Sequence, residues 1–158
     1  KITKCEFSKK SDLLNIISLG KMPAVNDYIK IGNDTNKLKF YETEISYSKS
    51  SDLVQLTTIV NKEILFPKSY PYTSSTTKIL RDNFKNLYDE SIKLIKFSKS
   101  DLVIDIGSND GNLLSNFKND HRVLGVTPEK IGKIAIKKGI PTIIDYFNEK
   151  ISSKIVES

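Results

Sequence analysis

The sequence predicts an α/β fold in which a small, irregular, β-rich lobe and a linking helix precede the first part of a parallel sheet. Three observations carry this reading. Residues 101–158 alternate apolar strand runs with helical stretches. Ile79, Leu80, Phe84, Leu87, Tyr88, Ile92 and Ile95 recur at steps of three and four, the stripe of an amphipathic helix. Tyr41, Thr43, Ile45 and Tyr47 alternate with Glu42, Glu44 and Ser46, the period of a half-buried strand.

Taken in order, residues 13–19, 41–47 and 53–59 are predicted strands of a lobe spanning 1–72. Gly32-Asn33-Asp34 marks a loop between the first two. A second region, 73–158, opens with a helix over 74–98, with Ser74, Ser75 or Thr76 as its cap and Asp89 paired with Lys93 four residues on. Leu102–Ile106 is a short buried strand. Gly107-Ser108-Asn109-Asp110-Gly111 is a tight loop, and a helix begins at Asn112. Arg122–Val126 is a second strand. Residues 129–138 form a helix with Ile131, Ile134 and Ala135 inward. Residues 140–144 give a third strand, and Asn148 caps a last helix bearing Ile151 and Ile155. Strands alternating with helices imply a parallel sheet with right-handed crossovers.

Composition excludes several classes. The chain has 158 residues, 38% of them hydrophobic, enough for about one domain. No apolar run approaches the ~18 residues of a membrane span. The first residues carry no apolar signal core, so a cytoplasmic protein is expected, and the single cysteine, Cys5, excludes an internal disulfide framework. The net charge is +6, but only Arg81 and Arg122 of the 25 basic residues are arginine. Scattered lysines describe a solvated surface, so neither nucleic acid nor membrane is an expected partner. His121, the only histidine, precedes the second strand, at the sheet end opposite the ligand loops, and is read as a surface residue.

The glycine loop carries the most chemistry. Gly107 lets a strand turn sharply into a helix, and Gly111 admits a close neighbour. Loops at the carboxyl ends of parallel strands are where such sheets bind ligands. No Gly-Lys-Ser/Thr follows, so this is not a Walker loop. The glycines stand four apart, which is not the dinucleotide spacing. An EF-hand loop would place Ile106 and Phe117 at ligand positions, which neither can fill.

Asp105-Ile-Gly107-Ser-Asn-Asp-Gly111 resembles motif I, D-x-G-x-x-x-G, of class I S-adenosylmethionine (SAM) methyltransferases. The longer string Asp105 to Leu114, then Val123-Leu-Gly-Val-Thr-Pro128, Lys138-Gly-Ile-Pro-Thr142 and Tyr146-Phe147, resembles the sugar C-methyltransferases of deoxysugar pathways. So do Ser18-Leu-Gly-Lys-Met-Pro-Ala-Val-Asn26, Asp52-Leu-Val-Gln-Leu56 and Tyr70-Pro-Tyr-Thr-Ser-Ser75. The resemblance covers nearly the whole chain in order. It implies a partial class I, Rossmann-like methyltransferase sheet, a SAM site at Asp105, Gly107, Ser108, Asn109, Gly111 and Thr127, and a nucleotide-linked keto-sugar substrate. It also places Tyr72, and less strongly Tyr70, on the substrate side of the cleft.

The sequence departs from this family at three places. The family's N-terminal domain usually carries two C-x2-C zinc pairs, whereas here Cys5-Glu-Phe-Ser8 and Ser48-Lys-Ser-Ser51 keep one cysteine in four positions. Serine hydroxyls are poor zinc ligands. No zinc is therefore expected, and packing of Leu13, Leu14, Ile16, Tyr47, Leu53 and Leu56 is expected to hold the lobe. Thr127 stands about 20 residues after the first glycine, where an acidic residue ordinarily receives the ribose hydroxyls. Weakened SAM affinity follows, unless Glu129 substitutes. The family's sheet has seven strands, of which two or three are present, and no catalytic base can be assigned. The chain thus reads as the first part of a truncated SAM-dependent C-methyltransferase. The alternative is a non-catalytic binding or assembly module derived from one, self-associating or pairing with a partner chain through an exposed sheet edge.

Overall fold

The computed structural model describes residues 1–25 and 27–157. Asn26, which closes the stretch beginning at Ser18, lies outside the described residues. The chain forms two compact units, Lys1–Leu65 and Phe66–Ser158.

The first unit is an antiparallel sheet in the order β1 (Leu13–Pro23), β2 (Phe40–Ser48), β3 (Val54–Leu56), followed by one turn of helix, α1 (Lys62–Leu65). Tyr47 pairs with Leu14 on one side and Val54 on the other. Ile45 likewise lies between Ile17 and Leu56. The period-two pattern thus marks the right strand, but burial falls on the opposite side. Ser46 and Ser48 are buried, while Leu14, Ile16 and Leu56 are 47%, 57% and 53% exposed. Leu13, Tyr47 and Leu53 are half-buried, so the expected apolar packing forms only in part. The segment before β1 attaches instead to the serine side, through Ile2 N to Thr57 O (2.7 Å), Glu6 N to Gln55 Oε1 (3.0 Å), and Asp12 to Ser48. Lys1 Nζ reaches the Glu44 carboxylate at 2.5 Å.

The second unit opens with a 3-10 turn (Ser74–Thr76) and α2 (Lys78–Leu94). The parallel sheet then runs in the order β4 (Leu102–Ile106), β5 (Arg122–Val126), β6 (Thr142–Ile143), with Ile104 beside Leu124 and Val126 beside Ile143. Between the strands lie α3 (Leu114–Phe117) and α4 (Gly132–Lys137), and α5 (Glu149–Val156) follows. The structure is therefore mixed α/β: an antiparallel lobe, then a three-stranded parallel sheet with helices, consistent with part of a Rossmann-like fold. No helix among the described residues is long and apolar enough to cross a membrane.

The core of this unit is Leu114, Phe117, Val123, Ala135 and Ile140, with Tyr88, Phe97, Val103 and Leu113 packed on it. Tyr88 meets Phe117 edge-on at 4.8 Å. Only part of the α2 stripe is used. Leu80, Phe84 and Tyr88 are half-buried, whereas Ile79 is 80% exposed. His121 is not simply a surface residue. Its ring packs 4.9 Å from Phe97, and its buried Nδ1 has no hydrogen-bond partner among the described residues.

Several local expectations are corrected. The third strand is two residues long because Ile140 is drawn into the core, its amide closing the α4 turn on Ala135 O (3.0 Å). Gly139, at φ +77°, makes the reversal that ends α4. Asp89 pairs with Lys85 (2.9 Å) and Lys93 with Glu90 (2.7 Å), not with each other. The N-cap of α2 is Thr77, which makes no side-chain cap bond. Asn148 does cap α5, accepting from Ile151 N at 3.1 Å.

Candidate functional site

The loop after β4 takes its shape from backbone bonds that only unusual torsions permit. Gly107 (φ +90°) and Ser108 both donate their amides to Val126 O, at 2.8 and 3.1 Å, pinning the loop to the end of β5. Asn109 (φ 50°) and Gly111 (φ +76°) are also left-handed, and Gly111 N closes a turn on Ser108 O at 2.8 Å. Asparagine and glycine are the residues that tolerate this region. Around Gly107 there is open space: a Cβ added there would meet nothing within 4 Å.

A strap formed by residues 66–76 crosses the carboxyl ends of all three parallel strands. After β4, the Asn109 amide brackets it, donating from Nδ2 to Tyr72 O (3.0 Å) and accepting Ser74 N on Oδ1 (2.9 Å). After β5, Lys130 N donates to Lys68 O at 2.9 Å. After β6, Tyr146 Oη donates to Phe66 O at 2.8 Å. Tyr70 and Tyr72 ride on this strap, ring centroids 6.4 Å apart and edge-on, with Phe66 5.8 Å from Tyr70. The structure thus brings both tyrosines to the end of the sheet that holds the glycine loop.

Asp110, which sequence reasoning passed over, is the centre of the attachment. Its fully buried carboxylate accepts Ser74 Oγ at 2.7 Å and the Ser75 hydroxyl, and pairs with Lys138 Nζ at 2.9 Å. Lys138 Nζ also reaches Asp110 O at 3.2 Å. Burial pushes the carboxyl up, but Ser74, Ser75 and Lys138 outweigh it and hold it below its ordinary value. The serines expected to cap α2 are therefore spent on the loop. Arg81 Nη1 takes over the carbonyls of Ser75 (2.6 Å) and Thr76 (3.2 Å). The one available signal was the Ser74-Ser75 pair within the Tyr70–Ser75 string, whose partner lies 36 residues away.

Two carboxylates remain at the strand ends. Asp105, on β4, is half-buried, and burial alone raises its carboxyl above the usual range. Thr127 is fully buried under α4, and its hydroxyl donates to the Glu129 carboxylate, itself 6% exposed. Gly132 makes room for it, since an added Cβ would stand 2.7 Å from Thr127 Cγ2. Ser108 is 3% exposed, and its hydroxyl has no partner among the described residues. It lies against β5, where a Cβ on Gly125 would come within 2.5 Å of Ser108 Oγ. The loop and strap thus present open backbone at Gly107, one half-buried carboxyl without a compensating charge, and aromatic rings. These features fit a ligand with a cationic amino group and a flat ring system.

Residues 5–66 match the family model described as "Putative zinc binding domain" of a methyltransferase family. The chain is 24% identical over 156 residues to the C-methyltransferase NovU of Streptomyces niveus, an alignment covering 98% of this chain. It spans 37% of the length of that curated relative. The matched domain and the nearly end-to-end alignment together support a relationship to C-methyltransferases.

Proposed function

We propose that the chain contributes the cofactor-binding portion of a cytoplasmic SAM-dependent C-methyltransferase acting on a nucleotide-linked keto-deoxysugar. The observation that carries this reading is the half-buried Asp105 carboxyl at the strand end, beside the open Gly107 backbone. A cationic amino group bound there would supply the charge partner that burial leaves wanting. Glu129, beside Thr127 at the end of β5, is the carboxylate suited to ribose hydroxyls. Tyr72, 42% exposed on the strap, offers a ring to the adenine or the sugar. When bound, SAM supplies an electrophilic methyl group. This chain's residues bind and orient it.

Calorimetric titration with S-adenosylhomocysteine tests the reading. Saturable binding is expected, and Asp105→Ala should weaken it by about tenfold or more, a loss of ~1.4 kcal/mol or greater. A flat titration of the folded chain, or an unchanged affinity in Asp105→Ala, would sink the assignment.

A second reading, an assembly module, is favoured by the edge of β4. That strand pairs only with β5 among the described residues, and Ile104 and Ile106 are 40% and 58% exposed. Such an edge templates pairing with another chain. Light scattering should then show a dimer or larger species that Ile104→Lys returns to monomer. A monomer in the unaltered chain rules out self-assembly through this edge.

A further inference from the structure

The lobe matched as zinc-binding carries, at the four positions where the family resemblance places zinc ligands, one thiol, Cys5, and three hydroxyls, Ser8, Ser48 and Ser51. Neutral hydroxyls bind zinc poorly, and one thiolate does not close a tetrahedral site. Yet the backbone around the two pairs is built as two copies of one turn. Cys5 N donates to Lys10 O and Ser48 N to Leu53 O, each at 2.9 Å and each five residues ahead. Four residues after each of those positions, a non-glycine residue is left-handed, Lys9 at φ 60° and Asp52 at φ 54°. The repeated strain shows that both turns are held in place from outside themselves.

What holds them is a continuous polar chain. Ser48 Oγ donates to both Asp12 oxygens, at 3.0 and 3.1 Å. Ser51 Oγ donates to Ser48 Oγ at 3.1 Å. Cys5 Sγ lies 3.1 Å from Ser51 Oγ, a contact in which either atom can donate. Ser8 N donates to Cys5 Sγ at 3.4 Å, and Ser50 joins the two turns by donating to Ser8 Oγ (2.8 Å) and, from its amide, to Asp12 Oδ2 (2.8 Å). Cys5 and Ser48 are fully buried, and they are the most enclosed residues of a unit whose aliphatic side chains are largely exposed.

We infer that this thiol–hydroxyl chain, anchored on the Asp12 carboxylate, has taken over the crosslinking role of a metal, so that the lobe folds without zinc on a scaffold still shaped for it. Asp12 is the key substitution partner. It accepts from Ser48 and Ser50 of the second turn, and Ser50 Oγ carries the link on to Ser8 of the first, so one negative charge stands where a metal site would gather several thiolates around a cation. The inference concerns the lobe alone and does not depend on cofactor binding in the second unit.

The test uses the full chain expressed with zinc in the medium. Elemental analysis should find zinc well below one equivalent, and EDTA should leave the unfolding midpoint unchanged. Ser48→Ala should lower the midpoint of the lobe by roughly 4–8 °C, equally with and without EDTA, and should speed hydrogen exchange at the Cys5 and Ser48 amides. The triple variant Ser8→Cys, Ser48→Cys, Ser51→Cys should gain about one zinc and become sensitive to EDTA. One equivalent of zinc in the unaltered chain with an EDTA-sensitive midpoint overturns the inference. So does a Ser48→Ala chain with unchanged midpoint and exchange, or a folded triple variant that takes up no zinc.

Discussion

Asp110→Ala is expected to lower the unfolding free energy of the second unit by about 2–3 kcal/mol, the loss of several hydrogen bonds to one buried charge. The figure is held down because Lys138, the partner left behind, is 37% exposed and recovers part of its hydration. The Ser74 and Ser75 hydroxyls lose their acceptor together, and near the loop the strap keeps the Asn109 bracket and the longer bond from Asn112 Nδ2 to Ser74 O (3.5 Å). Denaturant unfolding measures the loss, and faster exchange of the Ser74 amide locates it. The effect has a defined pH signature. The folded carboxyl titrates below its ordinary value, so its contribution is complete above the unfolded value of about 3.9 and disappears as pH falls through the lowered folded value. The gap in stability between the unaltered chain and Asp110→Asn should therefore be widest near neutrality and close on acidification below pH ~4. A gap that stays constant down to pH ~3 would show that the charge is not what fastens the strap.

The sequence made the parallel half legible because its strands are short apolar runs, stopped by Gly107 after β4 and by Thr127-Pro128 after β5: both have the predicted bounds. It misjudged the lobe because alternation identifies two faces without saying which one is covered. In β2 the covered face is the one with Ser46 and Ser48, since the segment 1–12 brings hydroxyl and carboxylate partners to that side and no apolar layer to the other. The site was partly legible for the same kind of reason. Gly107, Gly111 and Asp105 announce themselves through torsion and strand position. Asp110 does not, because its role depends on serines 35 and 36 residues away, which local pattern assigned to a helix cap. Lys138 was likewise invisible, since its ammonium crosses from the end of α4 to a loop 28 residues earlier. Contacts of this range arise only once the sheet has set the loops side by side.

Gly111→Ala is the substitution expected to do the most damage for the fewest atoms, about 2–4 kcal/mol from left-handed strain and overpacking combined. At φ +76° an L side chain is already disfavoured. The added Cβ would also stand 2.7 Å from Ile140 Cδ1 and 2.9 Å from Ala135 Cβ. Both neighbours are completely buried in the core, and a Cβ cannot swing aside without its backbone. Nor can the loop retreat. Gly111 N is bonded to Ser108 O, and Gly111 O accepts both the amide and the hydroxyl of Ser115, at 2.9 and 2.8 Å, which starts α3. Gly107 supplies the control. Its φ of +90° is as unusual, but a Cβ there meets open space, so Gly107→Ala should cost only the conformational part, about 1–2 kcal/mol. Equal losses at the two glycines would show that torsion alone matters. The double variant Gly111→Ala, Ile140→Val separates the two contributions directly. Removing the Cδ1 methyl relieves the nearer clash, so its unfolding free energy should exceed the sum of the single effects by about 0.5–1 kcal/mol, a coupling that strain at φ cannot produce.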